Sequence, residues 1–135
     1  MKRAILLAAL LISLSTMCVD AAMSAQITKV DWPDSEIHTS ASVRPWVYVE
    51  NTGLEATRFH VQFAIQDSQG KWYTSGCWPT DIIKGGEDKV VWPYSVEVTS
   101  SMPRGRYNAK VVLYGDSCGG NELDSVVKQY AFIVS

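Results

Sequence analysis

The side chains able to do covalent or metal chemistry are few: His38 and His60, Cys77 and Cys118, and an acidic loop, "GDSCGGNELD", over 115–124. Nucleophilic catalysis needs a Ser, Thr or Cys beside a base that a third group orients. No serine here sits in a nucleophile-elbow pattern, and neither histidine has an obvious orienting partner. Neither histidine is spaced with a cysteine as zinc sites require. Asp116, Asn121, Glu122 and Asp124 carry the oxygen ligands that calcium favours, but the EF-hand spacing is absent and such loops are ordinary hairpin tips. They are a weak calcium candidate and no more. The carboxylates of glycoside chemistry cannot be picked out by pattern. The expectation is a protein without catalytic residues, metal or cofactor.

Binding chemistry is better represented. Three Trp-Pro pairs occur, at Trp32-Pro33, Trp78-Pro79 and Trp92-Pro93, and the order is reversed at Pro45-Trp46. A surface indole is a flat apolar platform for a sugar or an anchor in a protein interface. Proline, lacking the N–H that a sheet ladder needs, belongs at strand ends, edges or bulges, and it holds the residue before it extended. Trp32-Pro33 and Trp78-Pro79 therefore read as strand ends, and Trp92-Pro93 as an edge or a bulge. Trp92 shares parity with Val90, Tyr94 and Val96, which predicts a core position. Trp46 and Tyr48 share an outward face, and Trp72 and Tyr73 cannot both be buried by one face. Trp78 lies beside Cys77 and is expected to be partly exposed, with Trp72 and Tyr73 extending its apolar area. These five (Trp46, Tyr48, Trp72, Tyr73 and Trp78) are the predicted binding residues.

The compartment follows from the N-terminus. Lys2 and Arg3 precede an apolar run over Ala4–Leu14, and small residues follow in "CVDAAMSAQ". That layout predicts a secretory signal peptide over residues 1–24 and a mature domain over 25–135. The run is too short to cross a bilayer, which takes about 20 residues, and no second apolar segment follows. Lipidation at Cys18 is the minor alternative, because Ser15 and Met17 stand where a lipoprotein signal wants Leu and a small residue. Without Lys2, Arg3 and Asp20 the remaining chain carries a small acidic excess and no Lys/Arg cluster, so a nucleic-acid footprint is absent. Export leaves Cys77 and Cys118, and two cysteines in an exported domain of this size are expected to pair.

The elements that must position these residues are strands. "RFHVQFAIQ" alternates with period two, placing Phe59, Val61, Phe63 and Ile65 on one face. "SVRPWVYVEN" does the same with Val43, Val47 and Val49, and "RYNAKVVLY" with Tyr107, Ala109, Val111 and Leu113. The last strand, "VVKQYAFIV", would turn Tyr130, Phe132 and Val134 together. Further strands are expected over 26–32, 71–77 and 87–98, with turns at "NTG", "DSQG", "KGGED", "MPRG" and "GDSCGGN". About seven short strands at this spacing predict a single antiparallel immunoglobulin-like β-sandwich. Tyr107, just after a Pro-Gly corner, fits the structural tyrosine that bonds back to corner backbone in such folds.

The order "WVYVENTGLEATRFHVQFAI", then "IIKGGEDKVVW", then "PRGRYNAKVVLYGD" resembles the CARDB domain of bacterial and archaeal surface proteins. That family shows a strand ending in Asn-x-Gly, an alternating strand, a Gly-rich turn before another strand and a Pro-Gly-x-Tyr corner; the likeness runs over roughly residues 40–125, with Pro103-Arg104-Gly105-Arg106-Tyr107 at the corner. The family's closing Asn-Asn run is missing and the cysteine pair is extra. The resemblance implies a cell-surface adhesion or scaffold role. The expected function is thus a secreted, periplasmic or cell-surface interaction module, with another protein or a cell-surface glycan as partner. Carbohydrate binding through Trp46/Tyr48 or Trp72/Tyr73/Trp78 is one alternative. Self-assembly through edge strands, the terminal "QYAFIVS" pairing with a neighbour, is another.

Overall fold

The computed structural model describes residues 23–135; the expected leader and Cys18 lie outside the described residues, apart from Met23 and Ser24. Among the described residues every regular element is a strand: β1 (Ala25–Asp31), β2 (Glu36–Ile37), β3 (Ser42–Val43), β4 (Trp46–Asn51), β5 (Thr57–Gln66), β6 (Trp72–Ile83), β7 (Asp88–Val91), β8 (Val96–Glu97), β9 (Gly105–Tyr114) and β10 (Glu122–Val134). They form a five-stranded sheet in the order β2-β10-β9-β5-β6, a three-stranded sheet β1-β4-β7, and a short β3-β8 ladder. Among the described residues no helix is long and apolar enough to cross a membrane.

Alternation built the core as the sequence predicts. Phe59, Val61, Phe63 and Ile65 of β5 and Tyr107, Ala109, Val111 and Leu113 of β9 are buried, and Val47 and Val49 of β4 join the same apolar cluster. The core therefore lies between the inner faces of the two larger sheets. Burying one such side chain is worth about 1.5–3 kcal/mol.

Two corners fix the ends of that core. Asn51 is buried, and its Nδ2 donates to the carbonyls of Glu55 and Ile83, both at 2.8 Å, while its Oδ1 accepts from Gly53 N at 2.9 Å. Gly85 lies so close to this turn that an added Cβ would stand 2.7 Å from the carbonyl oxygens of Gly53 and Leu54. At the other corner the Tyr107 hydroxyl donates to the Pro103 carbonyl, and its ring stacks on Phe132 at 5.3 Å.

Four expectations need correction. Not every pair is antiparallel, since β2 runs parallel to β10 at Ile133 and Val134. Tyr130 does not share a face with Phe132. It is 66% exposed, because a bulge between Lys128 and Phe132 puts it at φ 52° and turns it out of the alternation. Trp78-Pro79 does not end its strand, and Cys77 lies within that strand. β6 runs on to Ile83 as a sheet edge with two register shifts, where a missing N–H does no harm. Trp92 is not core. Val91, Pro93 and Val96 take the inward positions, and the rings of Trp92 and Tyr94 face out.

Candidate functional site

The reason for the last correction also builds the site. β4 pairs with β7 as far as Val47↔Val91, and pairing resumes at Val43↔Val96 in the β3-β8 ladder. Three residues (Arg44, Pro45, Trp46) fill the gap on one side and four (Trp92, Pro93, Tyr94, Ser95) on the other. Each side holds a proline that cannot donate to the ladder. Both prolines are buried, so each forces its neighbours outward: Arg44 and Trp46 around Pro45, Trp92 and Tyr94 around Pro93. The extra residue on the second side breaks the period of two, which is why parity misplaces Trp92.

One of the outward rings, Tyr94, meets Trp78 from β6. Trp78 and Tyr94 pack edge to face with ring centroids 4.9 Å apart and planes at 90°. Trp46 and Trp92 do the same at 6.3 Å and 88°. All four rings remain 41–52% exposed. Arg44, Trp78, Trp92, Pro93, Tyr94 and Ser95 line a groove of about 350 Å³ in which Arg44 is the charged side chain.

This groove is mounted on anchored chain. Ser75 Oγ donates to the Ser95 carbonyl at 2.6 Å, tying the loop after Pro93 to β6. Cys77, next to Trp78, is bonded to Cys118 in the β9-β10 loop with Cα atoms 5.8 Å apart. A strand held by its neighbour β5 and by a disulfide to the β9-β10 loop gives the rings little to lose in order on binding.

The other predicted binding residues stand elsewhere. Trp72 pairs with Gln66 and Trp78 with Val61 on β5, a separation of about 17 Å along the strand. Tyr73 is a turn residue in function. Its hydroxyl donates to Asp67 Oδ2 at 2.8 Å, and the same carboxylate accepts from the backbone N–H groups of Gln69 and Lys71. Burial pushes the Asp67 carboxyl up, but those hydrogen bonds outweigh it and hold the pKa below the ordinary value; the hydrogen bond to Asp67 raises that of Tyr73. Tyr48 donates to Asp31 Oδ2 at 3.2 Å and lies under Lys29 Nζ, 5.3 Å from the ring centre. Of the five predicted residues the structure thus gathers Trp78 and Trp46. It adds Trp92, Tyr94 and Arg44, which the sequence reading had not chosen. The signal available was the placing of Pro45 and Pro93 inside two alternating runs.

The weak calcium set does not assemble. Asp124 Oδ2 accepts from Ile27 N and its Oδ1 from Ser125 N, both at 2.8 Å, and among the described residues no three His, Cys, Asp or Glu side chains come together. His60 Nδ1 faces the Gly115 carbonyl at 3.1 Å, and His38 Nδ1 faces Ser135 Oγ at 3.1 Å. A larger depression of about 840 Å³ is walled by the Asn51–Arg58 corner and opens beside Met23, the first described residue. Its walls are mainly the turn that locks Asn51, so the smaller aromatic groove is the better site.

No family model and no curated protein matches this chain. Solved structures do. A β-glucosidase from Erythrobacter marinus superposes with TM-score 0.58 and 18% identity, over 84% of this chain and 16% of its own. The Pseudomonas fluorescens alkylpurine DNA glycosylase, bound to DNA containing an abasic site analog, gives 0.55 and 15% over 82% and 30%. The CARDB domain of a Pyrococcus furiosus protein, in complex with di-metal ions, gives 0.49 and 15% over 84% and 88%. The chain spans less than a third of the first two proteins, and at these identities the likeness is one of fold alone.

Proposed function

We propose that this chain is an exported, non-catalytic interaction module of immunoglobulin-like sandwich topology that binds a protein partner in the groove between Trp78, Trp92 and Tyr94. One observation carries the reading: half-exposed aromatic rings in perpendicular pairs, held around an arginine on chain that two prolines, a hydrogen bond and a disulfide keep in place. Aromatic and arginine anchors dominate protein interfaces. A sugar platform calls for coplanar rings, and pairs at 88° and 90° make a ridged groove instead.

The topology part rests on strand order. The first segment pairs with β4 in one sheet and then, as β2, runs parallel to the last strand in the other, and Tyr107 makes the corner bond. The CARDB kinship and the surface role it implies rest on the order of motifs. Export rests on the leader pattern over residues 1–24. Assembly through "QYAFIVS" is the weaker reading, because Ile133 and Val134 already pair with β9 on one side and β2 on the other.

The test is a pair of arrays, one of extended peptides and one of glycans, probed with the wild type and with a Trp78→Ala/Trp92→Ala variant. Peptide binding that the variant loses while still unfolding cooperatively supports the reading. Binding confined to glycans, or peptide binding the variant keeps, would refute it.

A further inference from the structure

We infer that copies of this chain stack head to tail, the outer face of the five-stranded sheet of one copy lying on the outer face of the three-stranded sheet of the next. The contact is separate from the aromatic groove and uses no strand edge.

The first face is basic. Where alternate residues of a strand fill the core, the others make up its outer face. On β5 and β9 those outer positions hold Arg58, Arg106 and Lys110 and no carboxylate, in a chain of net charge −2. None of the three has an ion-pair partner among the described residues. Arg58 shares the mouth of the larger depression with Asp116, Glu122 stands at the start of β10, and Ile133 separates Glu36 from Arg106. Arg106 and Lys110 are therefore the uncompensated charges. Exposed side chains of β10 flank them: Val127 lies opposite Lys110 and Ile133 opposite Arg106. Tyr130 is held out between these two. Arg106 Cζ lies 5.2 Å from its ring centre, and its N–H donates to Asn108 Oδ1 at 2.9 Å. Asn108 is steadied in turn by Gln66 Oε1, which accepts from its Nδ2 at 3.0 Å. Those bonds hold Tyr130 at φ 52°, a left-handed backbone that aromatic residues seldom adopt and that is concentrated at functional surfaces.

The second face is acidic. Glu50 of β4 lies directly opposite Asp88 of β7, and like charges so opposed weaken a ladder. Gln26 Nε2 donates to Glu50 Oε2 at 2.9 Å, but neither carboxylate has an ion-pair partner among the described residues. Lys29, the cation on this face, is already paired with Asp31 at 3.4 Å. Lys89 stands opposite the inward Val49 and pairs with Glu87. Tyr48 and Val90 form the next cross-strand pair, an apolar surface beside the two carboxylates. Cations brought from outside relieve the Glu50–Asp88 repulsion, and anions brought from outside satisfy Arg106 and Lys110. A foreign partner answers one of these needs. A second copy answers both, and this complementarity selects it.

The two faces lie on opposite sides of the sandwich, so the contact is heterologous and repeats instead of closing as a two-fold dimer. With sheets packed about 10 Å apart within and between copies, the repeat along the row is about 20 Å.

Sedimentation velocity of the exported protein at rising concentration tests this. Association should appear at low salt and weaken about tenfold or more between ~0.02 and ~0.5 M salt. Arg106→Glu/Lys110→Glu makes both faces acidic, and Glu50→Lys/Asp88→Lys makes both basic. Each variant alone should be monomeric, and an equal mixture of the two should associate again. Tyr130→Ala should weaken wild-type association about 30-fold, the size of a hot-spot truncation. If a double reversal no longer unfolds cooperatively, the single exchanges Lys110→Glu and Asp88→Lys are read in the same way. Trp78→Ala/Trp92→Ala should leave association unchanged, so this inference and the groove's binding role stand or fall separately. A wild type that stays monomeric at low salt, a mixture that fails to associate, or association that neither reversal weakens would each overturn the stacking. A monomer retained on heparin through Arg106 and Lys110 would overturn it too, assigning the basic face to a foreign polyanion.

Discussion

Replacing Tyr107 by phenylalanine removes a single oxygen from a ring that is fully buried. The hydroxyl donates to the Pro103 carbonyl four residues back, closing the corner at the start of β9. A net hydrogen bond is worth about 0.5–1.5 kcal/mol, and more is lost only if the abandoned partner is cut off from water. The middle of that range, about 1 kcal/mol, is the expected loss. In a domain of this size that lowers the melting temperature by about 4–6 °C. Tyr107→Ala removes the ring that stacks on Phe132 and should cost about 3–5 kcal/mol. Burial, helped by the charge of Asp67 and by Tyr73, pushes the phenol up to about 12 from 10.0. The neutral phenol is therefore the folded form. Its contribution is complete below pH 10 and declines as pH rises toward 12, a decline that Tyr107→Phe should lack. Urea denaturation across pH 7–11 reads both effects. Identical midpoints for wild type and Tyr107→Phe would refute the corner bond as a source of stability.

Three further outcomes follow from the same structure. Cys77→Ser/Cys118→Ser opens a loop with a sequence separation of 41 and should lose about 4 kcal/mol in chemical denaturation; the unreduced mature protein, from which the leader and its Cys18 have been removed, should show no titratable thiol. Asp67→Asn should flatten the acid limb of the stability curve. The carboxylate's lowered pKa gives stability that is present above pH 3.8 and disappears as pH falls through the folded value, so wild type and variant should converge in acid. Gly85→Ala drives a Cβ against the carbonyls of Gly53 and Leu54 and should cost about 1–3 kcal/mol by thermal unfolding, whereas Gly86→Ala meets no neighbour and is strained only by its φ of 79°.

The sequence was most legible where one face of a strand is buried without interruption. The runs through Phe59–Ile65 and Tyr107–Leu113 alternate cleanly, and every residue assigned inward is buried. The corners were legible too, because Asn-x-Gly, Gly-Gly and Pro-x-Gly-x-Tyr have backbone demands that few other residues meet. Legibility failed where strand and loop exchange roles. At Tyr130 a bulge adds residues that no period of two anticipates. At Pro93 the proline occupies an inward position that parity assigns to Trp92, and four residues face three across the gap. Trp72 and Trp78 share a strand in the sequence reading as they do in the structure, but the distance along β6 separates their roles. The partnership of Trp78 with Tyr94 depends on β6 passing near the loop after β7, and no local pattern carries that information.

The five indole N–H signals of Trp32, Trp46, Trp72, Trp78 and Trp92 give the most direct measurement of whether the aromatic groove is a binding face. They are resolved in one nitrogen-proton correlation spectrum and followed while a peptide that binds in the extended-peptide array is added. The account predicts that Trp78 and Trp92 shift most and saturate together, that Trp46 follows through its contact with Trp92, and that Trp32 and Trp72 stay in place. Movement led by Trp72, or saturable peptide binding that leaves Trp78 and Trp92 unmoved, would contradict it.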